Sequence, residues 1–171
     1  MAIDRENSPY RRGNRYGSLP IPMVAEHCIT VEAGAVQFKV ESRRLTNAII
    51  EAEFGDADVA TIPFDDHGAS LHVCGTRDGL EHLRFDCFEH EPHYHYIDQA
   101  AGANTVVRID EMAVGDPVEF SLGCVEHHLA DMLRHSAPEG LADEVASHVD
   151  AVRTAVGELR GLMRAAAAPV S

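Results

Sequence analysis

The sequence predicts a mainly β protein: an antiparallel β-sandwich or jelly-roll-like barrel of about eight strands, followed by a C-terminal helical appendage. Up to residue 123, short segments with alternating apolar and polar residues are separated by Gly and Pro. The connections between these segments are too short for the helical crossovers that parallel strands require. After residue 123 the apolar period lengthens to that of helices.

Residues 1–22 are predicted to form an extended basic arm. They contain four arginines, and three prolines and two glycines interrupt any regular period. Such a segment is either a frayed terminus or a basic strap that docks on an acidic surface, of its own domain or of a second copy. Residues 23–123 then form the β-domain and residues 124–171 the helical part.

The predicted strands of the β-domain alternate between apolar and polar positions. Gly34 lies between the first two strands, and Gly75 and Gly79 lie between the fourth and fifth, so each of these pairs is expected to form a hairpin. The strands are predicted at residues 28–31, 36–40, 47–54, 69–74, 80–88, 93–97, 104–110 and 117–122.

Two C-terminal helices are predicted, a short one at residues 124–135 and a long one at residues 141–168. Apolar residues of the long helix recur at alternating spacings of three and four, which is a heptad seam. This seam fits packing on the chain's own sheet and self-association across a twofold axis equally well. Together with the arm, it favours a homodimer. The seam comprises Ala142, Val145, Val149, Val152, Val156, Leu159, Met163 and Ala166.

Composition excludes some classes of partner. The net charge of −14 would repel a nucleic-acid backbone and anionic membranes. There is no apolar run long enough to span a bilayer and no apolar segment typical of a secretory signal. The four cysteines form no C-x-x-C pair, which is typical of a reduced, cytoplasmic protein.

Residues 84–98 (RFDCFEHEPHYHYID) concentrate the groups that could carry chemistry. Alternation on a strand places His93 and His95 on the same face, where they could bind one divalent ion with a third ligand from a neighbouring strand. Candidates for that ligand are His72 and His82 in the preceding hairpin and His90 or Glu91 in the bend before the strand, and we assign His72. Imidazole ligands suit zinc, iron, nickel or copper.

Two further residues are candidates for catalysis. Of the carboxylates near the histidines, Asp86, Glu89 and Glu91, any could orient an imidazole or act as a general base, and we assign Glu91. Arg84 or Arg108 could hold a carboxylate or phosphate of a substrate, and we assign Arg84. An alternative interpretation rests on Tyr94 and Tyr96, which share the opposite face of the strand. If that face is the buried one, the histidines lie in solvent and carry no function.

These observations support two hypotheses of different class. The first is a small cytoplasmic β-barrel enzyme whose His-rich pocket, loaded with a divalent transition metal, acts on a small organic molecule. The second is a non-catalytic β-sandwich binding module or an accessory subunit of a larger complex. The absence of phosphate-binding, serine-hydrolase and zinc-finger motifs leaves those classes without support.

Overall fold

The computed structural model describes residues 12–55 and 63–168. Within these ranges the chain forms one seven-stranded antiparallel sheet with the strand order β1-β7-β6-β5-β4-β3-β2. The first half of the predicted arm, residues 1–11, and residues 169–171 lie outside the described part. The strands are β1 (Asn14–Tyr16), β2 (Cys28–Ala33), β3 (Val36–Thr46), β4 (Asp65–Gly75), β5 (Glu81–Phe88), β6 (His93–Asp98) and β7 (Ala103–Arg108).

Helices cover one face of this sheet. Alternate residues of β2 to β6 are apolar and pack against the buried faces of two long helices, α3 and α5. Tyr94 and Tyr96 lie on this face, and their rings contact Phe120 and His135 of α3. The helices are α1 (Asn47–Phe54), α2 (Glu111–Val114), α3 (Pro117–Ser136), α4 (Leu141–Ser147) and α5 (Val149–Ala167), with a short 3-10 helix at Ala25–His27.

The prediction of antiparallel strands is confirmed, but the described residues form neither a sandwich nor a barrel. The sheet is open, and helical residues outnumber strand residues. A second sheet is unnecessary because the apolar face is already covered by α3 and α5.

Two predicted strands are helices in the structure. Residues 47–54 form α1, which ends at Gly55 with a positive φ of 83°. Residues 117–122 form the first turns of α3, where the Asp116 side chain accepts a hydrogen bond from the backbone N–H of Glu119 and Pro117 occupies the first turn. These are N-terminal helix signals that outweigh a short alternating pattern.

The predicted long helix is divided at His148 into α4 and α5. Val152, Val156, Leu159 and Met163 of the heptad seam are buried against the chain's own sheet. Of the two alternatives for the seam, packing within the chain is therefore the one observed. The homodimer predicted from the seam and the arm stays a prediction.

Two further features of the structure relate to the predictions from composition, one to membrane-spanning segments and one to the cysteines. No helix in the described ranges combines the length and apolar character needed to cross a bilayer. All four cysteines, each within those ranges, have free thiols.

Candidate functional site

The face of the sheet opposite the helices carries buried and half-buried polar side chains. Strand register aligns them in two rows that run across neighbouring strands, because residues directly opposite each other project to the same side. The first row contains Glu41, Ser70, Asp86 and His93. The second contains Lys39, His72, Arg84 and His95.

Residues 12–24, called the strap here, pass over this polar face. β1 pairs with β7, and further along the strap the backbone carbonyls of Ser18 and Ile21 accept hydrogen bonds from Asn104 Nδ2 at 2.6 Å and from Arg84 Nη1 at 2.8 Å. The described part of the predicted arm therefore docks on the chain's own sheet. Because strap and helices cover opposite faces, the tyrosines and the histidines of β6 are both sheltered from bulk water.

Asp86, His93 and His95 form the central cluster on this face. One ligand atom from each lies within 4.8 Å of the other two. Asp86 Oδ2 is 3.1 Å from His95 Nε2 and 3.4 Å from His93 Nε2. Atoms bound to one metal at about 2.1 Å are separated by about 3.0 Å in octahedral and about 3.4 Å in tetrahedral geometry. These three residues could hold a metal ion.

The outer hydrogen bonds of the two imidazoles fix which nitrogen faces Asp86. His95 Nδ1 lies 2.9 Å from Asn104 Oδ1. The orientation of the Asn104 amide is fixed because its Nδ2 donates a hydrogen bond to the Ser18 carbonyl. His93 Nδ1 lies 2.6 Å from the Glu91 carbonyl. Since a carbonyl oxygen only accepts, both Nδ1 atoms carry a hydrogen, and both Nε2 atoms are directed at the carboxylate.

Asp86 is held as a carboxylate. Burial raises the pKa of its side chain, but contacts with His93 and His95 and the positive charge of Arg84 outweigh burial and hold the pKa well below the usual value. The Ser70 hydroxyl donates to the other oxygen, Oδ1. An Nε2 lone pair directed at a carboxylate is repulsive, so the cluster requires a cation between the rings and Asp86, either a proton or a metal ion.

A cavity of about 490 Å³ adjoins the cluster. Asp86, His93, His95 and Asn104 line it from the sheet. This volume lies within the range typical of small-molecule sites, about 300–1,000 Å³. The apolar part of its wall comes from the strap, the end of β3, α1 and the segment before β4: Leu19, Ile21, Leu45, Ile50, Phe54 and Phe64.

His72 lies in a different group from His93 and His95. Arg84 separates His72 from His95 in the second row, so the two rings are two strand spacings, or about 10 Å, apart. The His72 ring lies between Glu81 at 2.5 Å and Glu41 at 3.1 Å. Burial lowers its pKa, but these two carboxylates more than compensate, and the pKa is raised. With Cys28 and Glu41 it makes a second group that could hold a metal.

Arg84 lines the cavity beside the cluster, and Glu91 contacts His93. The Arg84 guanidinium donates to both oxygens of Glu81, at 2.8 and 2.7 Å, and to the strap, and it lines the cavity. Glu91 contributes its backbone carbonyl to His93, while its exposed side chain lies 3.8 Å from Arg108. The catalytic roles of both residues stay predictions.

The sequence indicates Asp86 only as one of three carboxylates near the histidines, not as a metal ligand, and it does not indicate Ser70 or Asn104. Alternation places Asp86 on the strand face of Arg84, and a short connection joins its strand to His93, so these signals also support Asp86 as the third ligand. The carboxylate of Asp66 accepts hydrogen bonds from the backbone N–H groups of His90 and Glu91, which holds that connection in place. Asn104 has no comparable signal, since its role depends on the strap above it.

Comparison with known proteins places the chain in a family. Residues 30–162 match the model of the family described as Domain of unknown function (DUF7700), and the chain belongs to this family. The match covers β3 to β7 and most of the helical layer, and thereby includes Asp86, His93 and His95. No curated protein and no solved structure matches the chain.

Proposed function

We propose that this member of the DUF7700 family binds a divalent transition-metal ion through Asp86, His93 and His95, and that it acts on a small organic molecule in the adjoining cavity. The observation that carries the proposal is the arrangement of hydrogen bonds around the two imidazoles. Both Nδ1 atoms are fixed as donors to carbonyl oxygens, so both Nε2 atoms are available as metal ligands beside a carboxylate.

The ligand set supports a catalytic site in preference to a structural one. Structural zinc sites use four protein ligands, whereas catalytic sites keep at least one position open for water or substrate. Here three protein ligands lie against a cavity. Two imidazoles and one carboxylate are the donor set of catalytic zinc and of non-haem iron sites.

The surrounding residues prepare the site for a cation. Asn104 and the Glu91 carbonyl orient the rings, Ser70 holds Asp86, and the side chains of His93, His95 and Asp86 are only 20%, 10% and 2% exposed. A bound metal ion would polarise a ligand oxygen or lower the pKa of a bound water. Exclusion of bulk water would strengthen such electrostatic effects.

Metal analysis of protein purified without an affinity tag tests the proposal. We expect about one equivalent of a transition metal per chain after incubation with zinc or iron(II) and removal of excess ion. The double variant His93→Ala/His95→Ala should lose this equivalent. The matched control is His127→Ala/His128→Ala, because these adjacent histidines of α3 are exposed and lie outside both candidate groups.

Equal metal content in the two double variants would contradict the proposal. A circular-dichroism melt of each variant checks that metal loss reflects lost ligands and not unfolding. The single variant Asp86→Asn, which preserves size, gives a second measure: we expect metal affinity to fall while the protein stays folded.

A further inference from the structure

We infer that the cavity takes a monoanionic amphiphile: an apolar body with a single anionic oxygen group, such as a carboxylate, that coordinates the metal ion. This inference rests on the proposed function and adds the chemical class of the ligand. It is carried by the polar groups of the cavity wall, by the charge of the site and by the apolar side chains of the same wall.

The buried polar side chains on the described part of the wall already have partners. Arg84 donates to Glu81 and to the Ile21 carbonyl, and both ends of the Asn104 amide are used by His95 and Ser18. Among the residues that the structure describes, the two Nε2 atoms and Asp86 Oδ2 are the atoms of the cluster that have no partner outside it. A ligand would therefore be anchored mainly through the ion they hold.

The charge of the loaded site selects the sign of the ligand. A divalent ion with one carboxylate and two neutral imidazoles carries one net positive charge. The charge of Arg84 does not add to it, because the buried Glu81 carboxylate binds the guanidinium through both oxygens. Burying one uncompensated charge is costly, so a monoanionic head group is favoured over a neutral or cationic one.

The apolar side chains that line the cavity favour a ligand with an apolar body. Ile50, Phe54 and Phe64 face the cavity together with Leu19 and Ile21 of the strap. Leu19 and Phe54 remain 39% and 36% exposed although both belong to this wall. A hydrocarbon chain that covers them would remove apolar surface from water.

A series of straight-chain carboxylates tests the inference. The full chain is loaded with cobalt(II), whose visible absorption reports on its coordination, and is titrated with butyrate, hexanoate and octanoate. We expect the affinity to rise about fourfold per methylene, because each buried CH₂ contributes about 0.8 kcal/mol. The alcohols and alkylammonium ions of the same lengths should bind at least tenfold more weakly.

A pair of neighbouring isoleucines supplies the control. Ile50→Gln should flatten the dependence on chain length, because Ile50 lines the cavity. Ile49→Gln should leave it unchanged, because Ile49 is exposed on the same helix and does not line the cavity. If Ile50→Gln does not fold, the dependence of affinity on chain length in the wild-type protein still tests the inference.

The outcomes separate this inference from the proposed function. If cobalt binds through the histidines but the affinity is independent of chain length, or octanol binds as tightly as octanoate, the ligand class is wrong and the metal site stands. If cobalt does not bind, both are overturned.

Discussion

Glu81 and Arg84 lie on the same face of β5 although three positions separate them. A regular strand would place them on opposite faces. The pairing of β4 with β5 shifts between Val73, which is opposite Leu83, and Cys74, which is opposite Glu81. His82 is thus the extra residue of a β-bulge, which turns Glu81 towards Arg84.

The bulge joins the charges of the polar face into one network. Glu81 contacts Arg84 with both oxygens and also the His72 ring, while Arg84 extends to the Ile21 carbonyl of the strap. A cation and an anion that are each buried thereby compensate one another. The network also connects the strap to β4 and β5, next to the proposed metal site.

Removal of the Glu81 charge should strongly destabilise the fold. In Glu81→Gln, Arg84 keeps its charge in an interior where its side chain is 2% exposed. Loss of one partner from a buried ion pair typically costs about 3–5 kcal/mol. We expect a decrease of this size in the free energy of unfolding, measured by urea denaturation at pH 7. Glu89→Gln, at an exposed glutamate, should change it by less than about 0.5 kcal/mol.

The Glu81 carboxylate should also make the free energy of unfolding depend on pH in the acid range. Burial raises the pKa of Glu81, but hydrogen bonds from Arg84 and His72 outweigh it and lower the pKa from 4.5 to about 2. The contribution of the Glu81 carboxylate to the free energy of unfolding is therefore complete above pH 4.5 and is lost as the pH falls towards 2. Between these values we expect the unfolding free energies of wild type and Glu81→Gln to converge. Curves that stay parallel would show that Glu81 is not the titrating group.

His72 should make the free energy of unfolding depend on pH above neutrality. It faces Glu41 and Glu81, with Lys39 and Arg84 opposite it on the adjacent strands, and its pKa is raised above 6.5 despite burial. Its favourable contribution is therefore complete below pH 6.5 and is lost as the pH rises through the raised pKa.

Unfolding measurements from pH 6 to pH 9.5 check this expectation. The free-energy difference between wild type and His72→Gln should shrink as the pH rises. The matched control is His128→Gln, which removes an exposed imidazole of α3 that lies outside this network. A difference that does not change with pH would contradict the expectation, because it would mean that folding leaves the pKa of the His72 ring unchanged.

The hairpins could be predicted because their signals are local. Alternation and the position of Gly34 define the β2–β3 pair, which the structure confirms with Val31 opposite Phe38. Residues 47–54 show the limit of such reasoning: a short apolar run fits a strand and a helix, and tertiary contacts decide between them. The sequence does contain signals for the start of α3, because Asp116 is followed by Pro117 and Glu119.

The candidate site was predictable only where it depends on one strand. His93 and His95 share a face by alternation alone. The choice of the third ligand depends on register between strands, which places Asp86 opposite His93 and Arg84 between His72 and His95. Whether that face is buried depends on the strap, which lies more than sixty residues away in sequence from Arg84.

Asn104 should tune metal affinity without being a ligand. Its Oδ1 accepts from His95 Nδ1, and loss of such an outer partner typically weakens metal binding about 10- to 100-fold. We expect this loss for Asn104→Ala in a zinc competition titration, and partial recovery for Asn104→Asp, which keeps an acceptor. Gln99→Ala removes another amide, one that donates to the Glu81 carbonyl, and should leave the affinity unchanged. Equal affinities for all three variants would exclude this positioning role.

Gly13 should be required for docking of the strap. A Cβ at this position would lie 2.2 Å from the carbonyl oxygen of Val106 and 2.9 Å from Cγ2 of Val107, and the carbonyl belongs to the sheet and cannot give way. At Gly17, in the same strap, a Cβ would meet no atom within 4 Å. Gly13→Ala should therefore separate β1 from β7, while Gly17→Ala should not.

Hydrogen exchange followed by mass spectrometry checks this difference. Overpacking typically costs about 1–3 kcal/mol, so amides of β1 and β7 should exchange about tenfold faster or more in Gly13→Ala, while those of β3 to β5 keep their protection. Because Ser18 of the strap fixes the Asn104 amide on His95, the same variant should also release zinc faster than Gly17→Ala. Faster exchange without faster release would show that the strap covers the metal cluster but does not organise it.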